Sequence, residues 1–279
     1  MAGMIADAFR RWKQDRRLAR AEAEILSRRL DPAPHGLNSP LIVSLTSYPA
    51  RFGSLHLVLR SLLAQSVRAD RVVLWLDESD ERLLPPAATE LGIEIRVCPN
   101  WRSYKKIVPT LAEWPDAHVV TADDDVYYGP DWLAGLVRHA GAGVVCHRAH
   151  RVALGAGGIP RPYADWQRNI DAPDRSTLVF PTGVGGVLYA PGVFHQDVCR
   201  EDLFQRLAPT ADDVWLYWMH QLRGSQPAKI GGRFRITEWR GTQAQNLRAG
   251  NLAGDGNDLA VRALIEHYGF PVEGRNAPA

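Results

Sequence analysis

Between residues 40 and 128 the chain alternates short apolar runs with segments of helical period, and this alternation does more than any other feature to narrow the fold. Leu41-Ile42-Val43-Ser44-Leu45 is apolar on both faces, the pattern of a strand inside a sheet. In residues 54–65, Leu55, Val58, Leu59, Leu62 and Leu63 recur at helical spacing and share one stripe. Residues 71–77 and 93–97 predict a second and a third strand, residues 104–113 a helix, and Val119-Val120-Thr121-Ala122 a fourth strand. Strands joined through helices cross over and run parallel, so the expected fold is α/β: a Rossmann-like, mainly parallel sheet flanked by helices. No Gly-x-Gly-x-x-Gly pattern follows the first strand, which argues against dinucleotide binding of the dehydrogenase kind.

The fourth strand ends in Asp123-Asp124-Asp125, followed by Val126-Tyr127-Tyr128. If the extended conformation continues, Asp123 and Asp125 point together and Asp124 points away. Carboxylates crowded on one face repel unless a proton or a cation intervenes. The natural occupant is a hard divalent ion, Mn²⁺ or Mg²⁺, which binds through one or two carboxylates together with a substrate's phosphates. Ligands of open α/β sheets bind beyond the carboxyl ends of the strands, where these residues fall. A solvated acidic turn is the alternative.

Charge and cysteine content exclude several classes. With 33 basic and 31 acidic residues the formal charge is +2, so nothing marks nucleic acid as a partner. Cys98, Cys146 and Cys199 have neither zinc-ligand spacing nor the density of a disulfide framework, which fits a reducing, cytoplasmic setting. No run of about 18 apolar residues suggests a membrane-spanning helix. Residues 1–36 form a compositional block of their own, a basic amphipathic helix and a linker ahead of a domain spanning 37–279. Within it Ile5, Phe9 and Trp12 share a helical face and arginines take the rest, a pattern suited to anionic lipid at the inner face of a membrane. It suits packing on the chain's own domain, or on a second copy in a homodimer, equally well. The later half, 129–279, is less regular: residues 144–148 and 186–189 read as strands around a loop-rich insert, and helices begin near Asp212 and Asp258.

Five segments, taken in order, resemble the GT-A glycosyltransferases, and more narrowly a bacterial, family 2-like group that decorates surface polysaccharides. They are Val43-Ser44-Leu45-Thr46-Ser47-Tyr48-Pro49-Ala50-Arg51, Ser103-Tyr104-Lys105-Lys106, Thr121-Ala122-Asp123-Asp124-Asp125-Val126, Phe180-Pro181-Thr182-Gly183-Val184-Gly185-Gly186 and Ala211-Asp212-Asp213-Val214-Trp215. The resemblance implies a nucleotide-binding half over 37–128 and an acceptor-binding half over 129–279. It implies that Thr46, Ser47 and Tyr48 meet base and ribose, that Arg51 faces phosphate, and that Asp77 accepts a hydrogen bond from the base. Tyr48 reads equally as an ordinary turn aromatic, and Asp77 as a helix cap. One of Lys105 and Lys106 would reach the pyrophosphate. Neighbours on a helix diverge, so the other is expected to face solvent, with Lys105 preferred as the functional one. Asp125 is the implied metal ligand. Asp123 meets ribose, sugar or the metal's shell, and Asp124 offers a competing register.

The pair Asp212 and Asp213 resembles the acidic pair from which inverting enzymes of this group draw their base, with Asp213 ahead of Asp212. Carboxylates also favour a helix start on electrostatic grounds alone. Thr182, Gly183, Gly185 and Gly186 would allow close approach of sugar or acceptor, and Trp215 would offer it a flat face, as would Trp166 and Trp218, although tryptophans three apart in a helix are more often core. His147, His150 and His267 are candidates for a further metal ligand, each more often a structural residue. The expected function is metal-dependent transfer of a sugar from a nucleotide-sugar donor to a glycan or lipid-linked acceptor. A sugar-nucleotide nucleotidyltransferase and a non-catalytic carbohydrate- or nucleotide-binding module are the rivals.

Overall fold

The computed structural model describes residues 2–239 and 255–271, apart from the side chains of residues 2–8, 10 and 11. Apart from a two-residue parallel pair, Ala33–Pro34 with Val67–Arg68, the strands are β1 (Leu41–Thr46), β2 (Arg71–Leu76), β3 (Glu94–Val97), β4 (His118–Ala122), β5 (Val144–Cys146), β6 (Ala149–Arg151), β7 (Asp174–Arg175), β8 (Val179–Pro181), β9 (Val187–Tyr189) and β10 (Ala228–Lys229). The main sheet has the order β3-β2-β1-β4-β9-β5-β10-β7, with a separate antiparallel pair β6-β8. Its first four strands are parallel, as the alternation predicts, and register places Ser44 beside Val73 and Thr121. Beyond β4 the rule changes: β9 inserts antiparallel between β4 and β5.

Helices cover both faces. On one side α1 (Ala2–Ser27), α2 (Phe52–Leu63) and α4 (Trp132–Val137) pack on Leu41, Val43, Leu45, Val120 and Leu188. On the other, α3 (Val108–Glu113), α5 (Glu201–Leu207), α6 (Asp212–Gln221) and α7 (Gly256–Tyr268) pack on Val119, Val144, Cys146 and Val187. Val119 and Val120 serve opposite layers because strand side chains alternate, so β4 has to be apolar throughout. The helix expected over 104–113 divides into a 3₁₀ turn at Arg102–Lys106 and the α-helix α3, joined through Ile107 at φ −134°. Pro109 is the physical reason, since a residue without an N–H is tolerated only in a helix's first turn.

The C-terminal turns of α1 are docked. Leu18, Ala21 and Ile25, spaced by three and four, are buried in the α2 layer. Arg28 is sunk behind them, its Nη1 donating to the Ala64 carbonyl at 2.7 Å and its Nη2 to that of Tyr128 at 3.1 Å. Phe9 and Trp12 remain exposed and stacked at 5.8 Å, while the Ile5 side chain lies outside the described residues. No helix among the described residues is long and apolar enough to cross a membrane.

Candidate active site

β1 and β4 both end at the mouth of a cavity of about 640 Å³, and most of the residues expected to act together line it. Extended geometry stops at Ala122, so the expected alternation through the acidic run does not hold. Asp124 and Asp125 both turn toward Arg51, which pairs with Asp125 and donates from Nη1 to Asp124 Oδ1 at 3.1 Å. Ser47 Oγ donates to Asp124 Oδ2 at 2.6 Å. Asp123 faces the other way, accepting from Lys106 Nζ at 3.0 Å, and its N–H donates to the Tyr128 hydroxyl at 2.7 Å. Burial pushes the Asp124 carboxyl up to about 7 against the pull of Arg51. Burial and then the charge of Asp123 push Asp125 up to about 6, with a further contribution from Glu238.

Glu238 was not foreseen. A bridge between Val126 and Glu238, with the Trp239 N–H donating to the Asp125 carbonyl at 2.9 Å, brings it to the cavity from more than 100 residues downstream in the sequence. No local pattern marks it. Asp123 and Glu238 each raise the Asp125 carboxyl through their charge, a repulsion that a divalent cation would relieve, so Asp125 with one of these hard oxygen donors suits Mn²⁺ or Mg²⁺. Among the described residues no three His, Cys, Asp or Glu side chains form a metal cage by themselves. His147 is held by the Trp132 carbonyl at 2.8 Å behind Gly135, and His267 is exposed against Tyr268; neither lines the cavity, whereas His150 does.

Both lysines are buried, which corrects the expectation that one faces solvent. They sit on a 3₁₀ turn across the ends of the strands, so their divergent directions both lead inward. Lys105 Nζ reaches Asp77 at 3.5 Å, while Lys106 Nζ lies between Asp123 at 3.0 Å and Asp212 at 3.3 Å. Lys106 rather than Lys105 is therefore the cation at the centre. Asp77 is a cap: its Oδ1 accepts from Ser79 Oγ at 2.6 Å and the Asp80 N–H at 3.0 Å, and Asp80, not Asp77, lines the cavity. Thr46 lines it with its hydroxyl donating to the Trp75 carbonyl at 2.8 Å. Tyr48 lines it too, its hydroxyl accepting from Arg51 Nε at 3.1 Å.

Across from the acidic turn, α6 presents its first residues. Asp213 Oδ1 accepts from the Gly183 N–H at 2.9 Å, and Asp212 Oδ1 from Ser103 Oγ at 2.9 Å. Burial, followed by the charge of Asp212, pushes Asp213 up to about 7, with Lys106 opposing. A Cβ at Gly183 would lie 2.9 Å from both Asp213 Oδ1 and Lys106 Nζ, so glycine is what lets these groups meet. Thr182 and Gly183 line the cavity, but Gly185 and Gly186 do not. Their positive φ angles, 102° and 88°, fold the loop onto Trp132, whose ring a Cβ at Gly186 would approach to 2.4 Å. Trp215 is also corrected: it is fully buried with Nε1 donating to the Val198 carbonyl at 3.0 Å, because only the first turn of α6 reaches the cavity. Trp218 and Trp166 are likewise core residues, bonded to the carbonyls of Gly269 and Arg161.

No protein-family model matches the chain, and no curated protein matches it in sequence. Solved structures do share its course. A mannosyltransferase from Pyrobaculum calidifontis, in complex with GDP-Man and Mn²⁺, is 15% identical over 94% of this chain and 77% of its own, with a TM-score of 0.48. A glucosyl-3-phosphoglycerate synthase from Mycobacterium tuberculosis, bound to Mn²⁺, UDP and glucosyl-3-phosphoglycerate, is 14% identical over 91% and 85%, with a TM-score of 0.44. A 4-diphosphocytidyl-2C-methyl-D-erythritol synthase from Anaerococcus prevotii DSM 20548 is 11% identical over 77% and 96%, with a TM-score of 0.46. Likeness at this level is of the chain's course alone and carries no substrate across.

Proposed function

We propose that this chain is a divalent-metal-dependent glycosyltransferase of the GT-A kind, moving a hexosyl group from a nucleotide-sugar donor to a glycan or lipid-linked acceptor in surface polysaccharide assembly. One observation carries the reading: residues 46–48 and 51, 105–106, 123–125, 182–183 and 212–213, far apart in sequence, line a single cavity. Bound at Asp123 and Asp125, Mn²⁺ or Mg²⁺ would offset the charge that develops on the leaving diphosphate. Arg51 and Lys106 add fixed positive charge on either side of that position. Thr46, Ser47 and Tyr48 line the side where base and ribose would sit. Asp213, with a carboxyl raised to about 7, is suited to accept the acceptor hydroxyl's proton at neutral pH, in a reaction that inverts the anomeric carbon.

The test is a screen of UDP-, GDP-, CMP- and dTDP-sugars by thermal shift with and without Mn²⁺, followed by transfer of the radiolabelled sugar. A Mn²⁺-dependent shift for one donor, and loss of transfer in Asp125→Ala with the fold intact, are the expected outcomes. An unchanged transfer rate in that variant would sink the scheme. Transfer of labelled nucleotide instead of sugar would make the protein a nucleotidyltransferase, and donor binding with neither transfer nor hydrolysis would make it a binding module.

The exposed end of α1 supports a peripheral address. Phe9 and Trp12 stand exposed, with Lys13 Nζ 4.4 Å from the Phe9 ring and the Arg16 guanidinium 4.8 Å from that of Trp12, a face suited to anionic lipid on the cytoplasmic side. Replacing Phe9 and Trp12 by serine should abolish sedimentation with phosphatidylserine vesicles at low salt and leave transfer to a soluble acceptor unchanged. Retained sedimentation would refute the membrane role. A concentration-dependent mass lost with the same change, without lipid, would assign the face to a homodimer.

A further inference from the structure

Arg28 follows the last turn of α1, and its side chain is only 3% exposed. A guanidinium sunk that deep must find acceptors for all its N–H donors, and it finds them on separate segments of the chain. Nε and Nη2 fork onto Glu24 Oε1 and Oε2 at 2.8 and 2.6 Å, one turn earlier in α1. Nη1 donates to the carbonyls of Ser61 and Ala64, at 3.3 and 2.7 Å, at the end of α2 where no further turn supplies a donor. Those contacts suffice to staple α1 to α2. Nη2 goes further, to the Tyr127 hydroxyl at 3.3 Å and the Tyr128 carbonyl at 3.1 Å, and the Tyr127 hydroxyl itself donates to Glu24 Oε2 at 2.9 Å.

Tyr127 and Tyr128 directly follow the acidic turn. Tyr128 is buried against Trp132, with ring centroids 4.4 Å apart. Its hydroxyl accepts from the Asp123 N–H at 2.7 Å and donates to the Asp123 carbonyl at 3.4 Å. A single residue thus joins Arg28, at its carbonyl, to the backbone of Asp123, at its hydroxyl. Arg51, Ser47 and Lys106 hold the side chains of the turn, whereas Tyr128 holds its backbone. That hold has work to oppose, because the charges of Asp123 and Asp125 repel and would spread the turn. Carboxylates already kept together bind a cation without first being reordered.

Resting on the glycosyl-transfer reading and its metal at Asp123 and Asp125, we infer that Arg28 is a positioning residue of that metal site: from the end of α1 it fixes, through Tyr127 and Tyr128, the backbone on which the carboxylates stand. Residues 1–36, set apart by composition, therefore divide in role. Phe9 and Trp12 face outward at one end of α1, while Arg28 at the other end serves the cavity. Lysine would keep the charge but lose the planar fork that spans Glu24, α2 and the tyrosines together.

The test is calorimetric titration of Mn²⁺ into the full chain, with UDP and separately with GDP present, below the melting temperature of every variant. Arg28→Met should weaken Mn²⁺ binding at least about tenfold, as the loss of an outer-shell partner does. Tyr127→Phe, which deletes only a hydroxyl of the network, should weaken it at least about threefold. Leu18→Ala loosens the same helix on the α2 layer without touching these contacts, so it should melt earlier yet bind Mn²⁺ within about twofold of the parent. Affinity kept within about twofold in Arg28→Met would make Arg28 a staple for α1 and overturn the inference. An equal loss in Leu18→Ala would also overturn it, by tracing the effect to general loosening. Should Arg28→Met fail to fold, Tyr127→Phe against Leu18→Ala decides. If the parent binds no Mn²⁺, the metal reading fails, and amide hydrogen exchange over residues 123–128 tells the two failures apart. Exchange faster in Tyr127→Phe and Arg28→Met than in Leu18→Ala means that Arg28 holds the turn and only the metal is lost; equal exchange means that the inference falls as well.

Discussion

The sheet before Tyr128 and the sheet after it hold their share of the cavity in different ways. Before it, parallel strands of four to six residues alternate with helices, and the cavity residues Thr46, Ser47 and Asp123 directly follow or end a strand. After it, strands shrink to two or three residues, and Arg148, Thr182, Gly183 and Glu238 stand on loops, held by individual hydrogen bonds and by glycine. A regular scaffold fixes one half by topology, whereas the other is fixed contact by contact. The first arrangement suits a component common to many reactions, such as a nucleotide diphosphate and its metal. The second can be varied residue by residue without disturbing the sheet, which suits the recognition of a particular acceptor.

The sharpest way to break that division is at Asp213, where the two halves meet. Asp213→Asn keeps an oxygen for the Gly183 N–H to donate to, so the loop and α6 stay joined. The variant should lose about 10²–10⁴ in turnover at saturating donor while its Mn²⁺-dependent donor binding is unaltered. A rate within about twofold of the parent would remove Asp213 as base and leave inversion without support. Donor binding lost together with turnover would instead place Asp213 on the nucleotide side.

The two adjacent lysines sharpen the comparison next. Lys106 bridges Asp123 of the first half to Asp212 of the second, whereas Lys105 stays within the first half, on a carboxylate that already accepts two other hydrogen bonds. Removing one partner of a buried pair strands the other charge at a cost of about 3–5 kcal/mol, so Lys106→Met should destabilise the protein by that order in denaturant unfolding. Lys105→Met should cost about 1 kcal/mol, near the worth of a single hydrogen bond, because Asp77 keeps its other partners. Equal losses would mean that the halves are not coupled through Lys106.

What the sequence showed and what it hid follow the same line. The parallel half was legible because an apolar run bounded by helical period admits few folds, and the acidic run at its end marked the cavity. Lys106 was misjudged for a local reason: one proline turned an expected helix into a 3₁₀ turn and redirected both lysine side chains. Trp215 was misjudged because a helix start shows its first turn to a cavity and buries the next, a distinction that no spacing reveals before the packing partner is known. Gly185 and Gly186 serve Trp132, a residue some 50 positions away. Glu238 and Arg148 carried no pattern at all, since loops place them through contacts that have no period.

The smallest expected effect concerns pH, and it depends on the direction of three carboxyl shifts. Asp124 and Asp213, at about 7, and Asp125, at about 6, hold protons in the folded chain that the unfolded chain releases near 3.9. Between those limits the folded state binds more protons, so these groups stabilise it fully at low pH, and that contribution is lost as pH rises through 6 and 7. His220, buried with its pKa lowered to about 3, acts in the opposite sense below its ordinary value near 6.5, so melting temperature alone mixes the two. The difference made by Mn²⁺ isolates the carboxyls, because the ion binds only their ionised forms. Mn²⁺ should therefore raise the melting temperature by a few degrees more at pH 8 than at pH 5.5, and Asp125→Asn should flatten that dependence. A Mn²⁺ shift as large at pH 5.5 as at pH 8 would show that the ion binds elsewhere, and the acidic turn would then be held by Arg51, Ser47 and Lys106 without it.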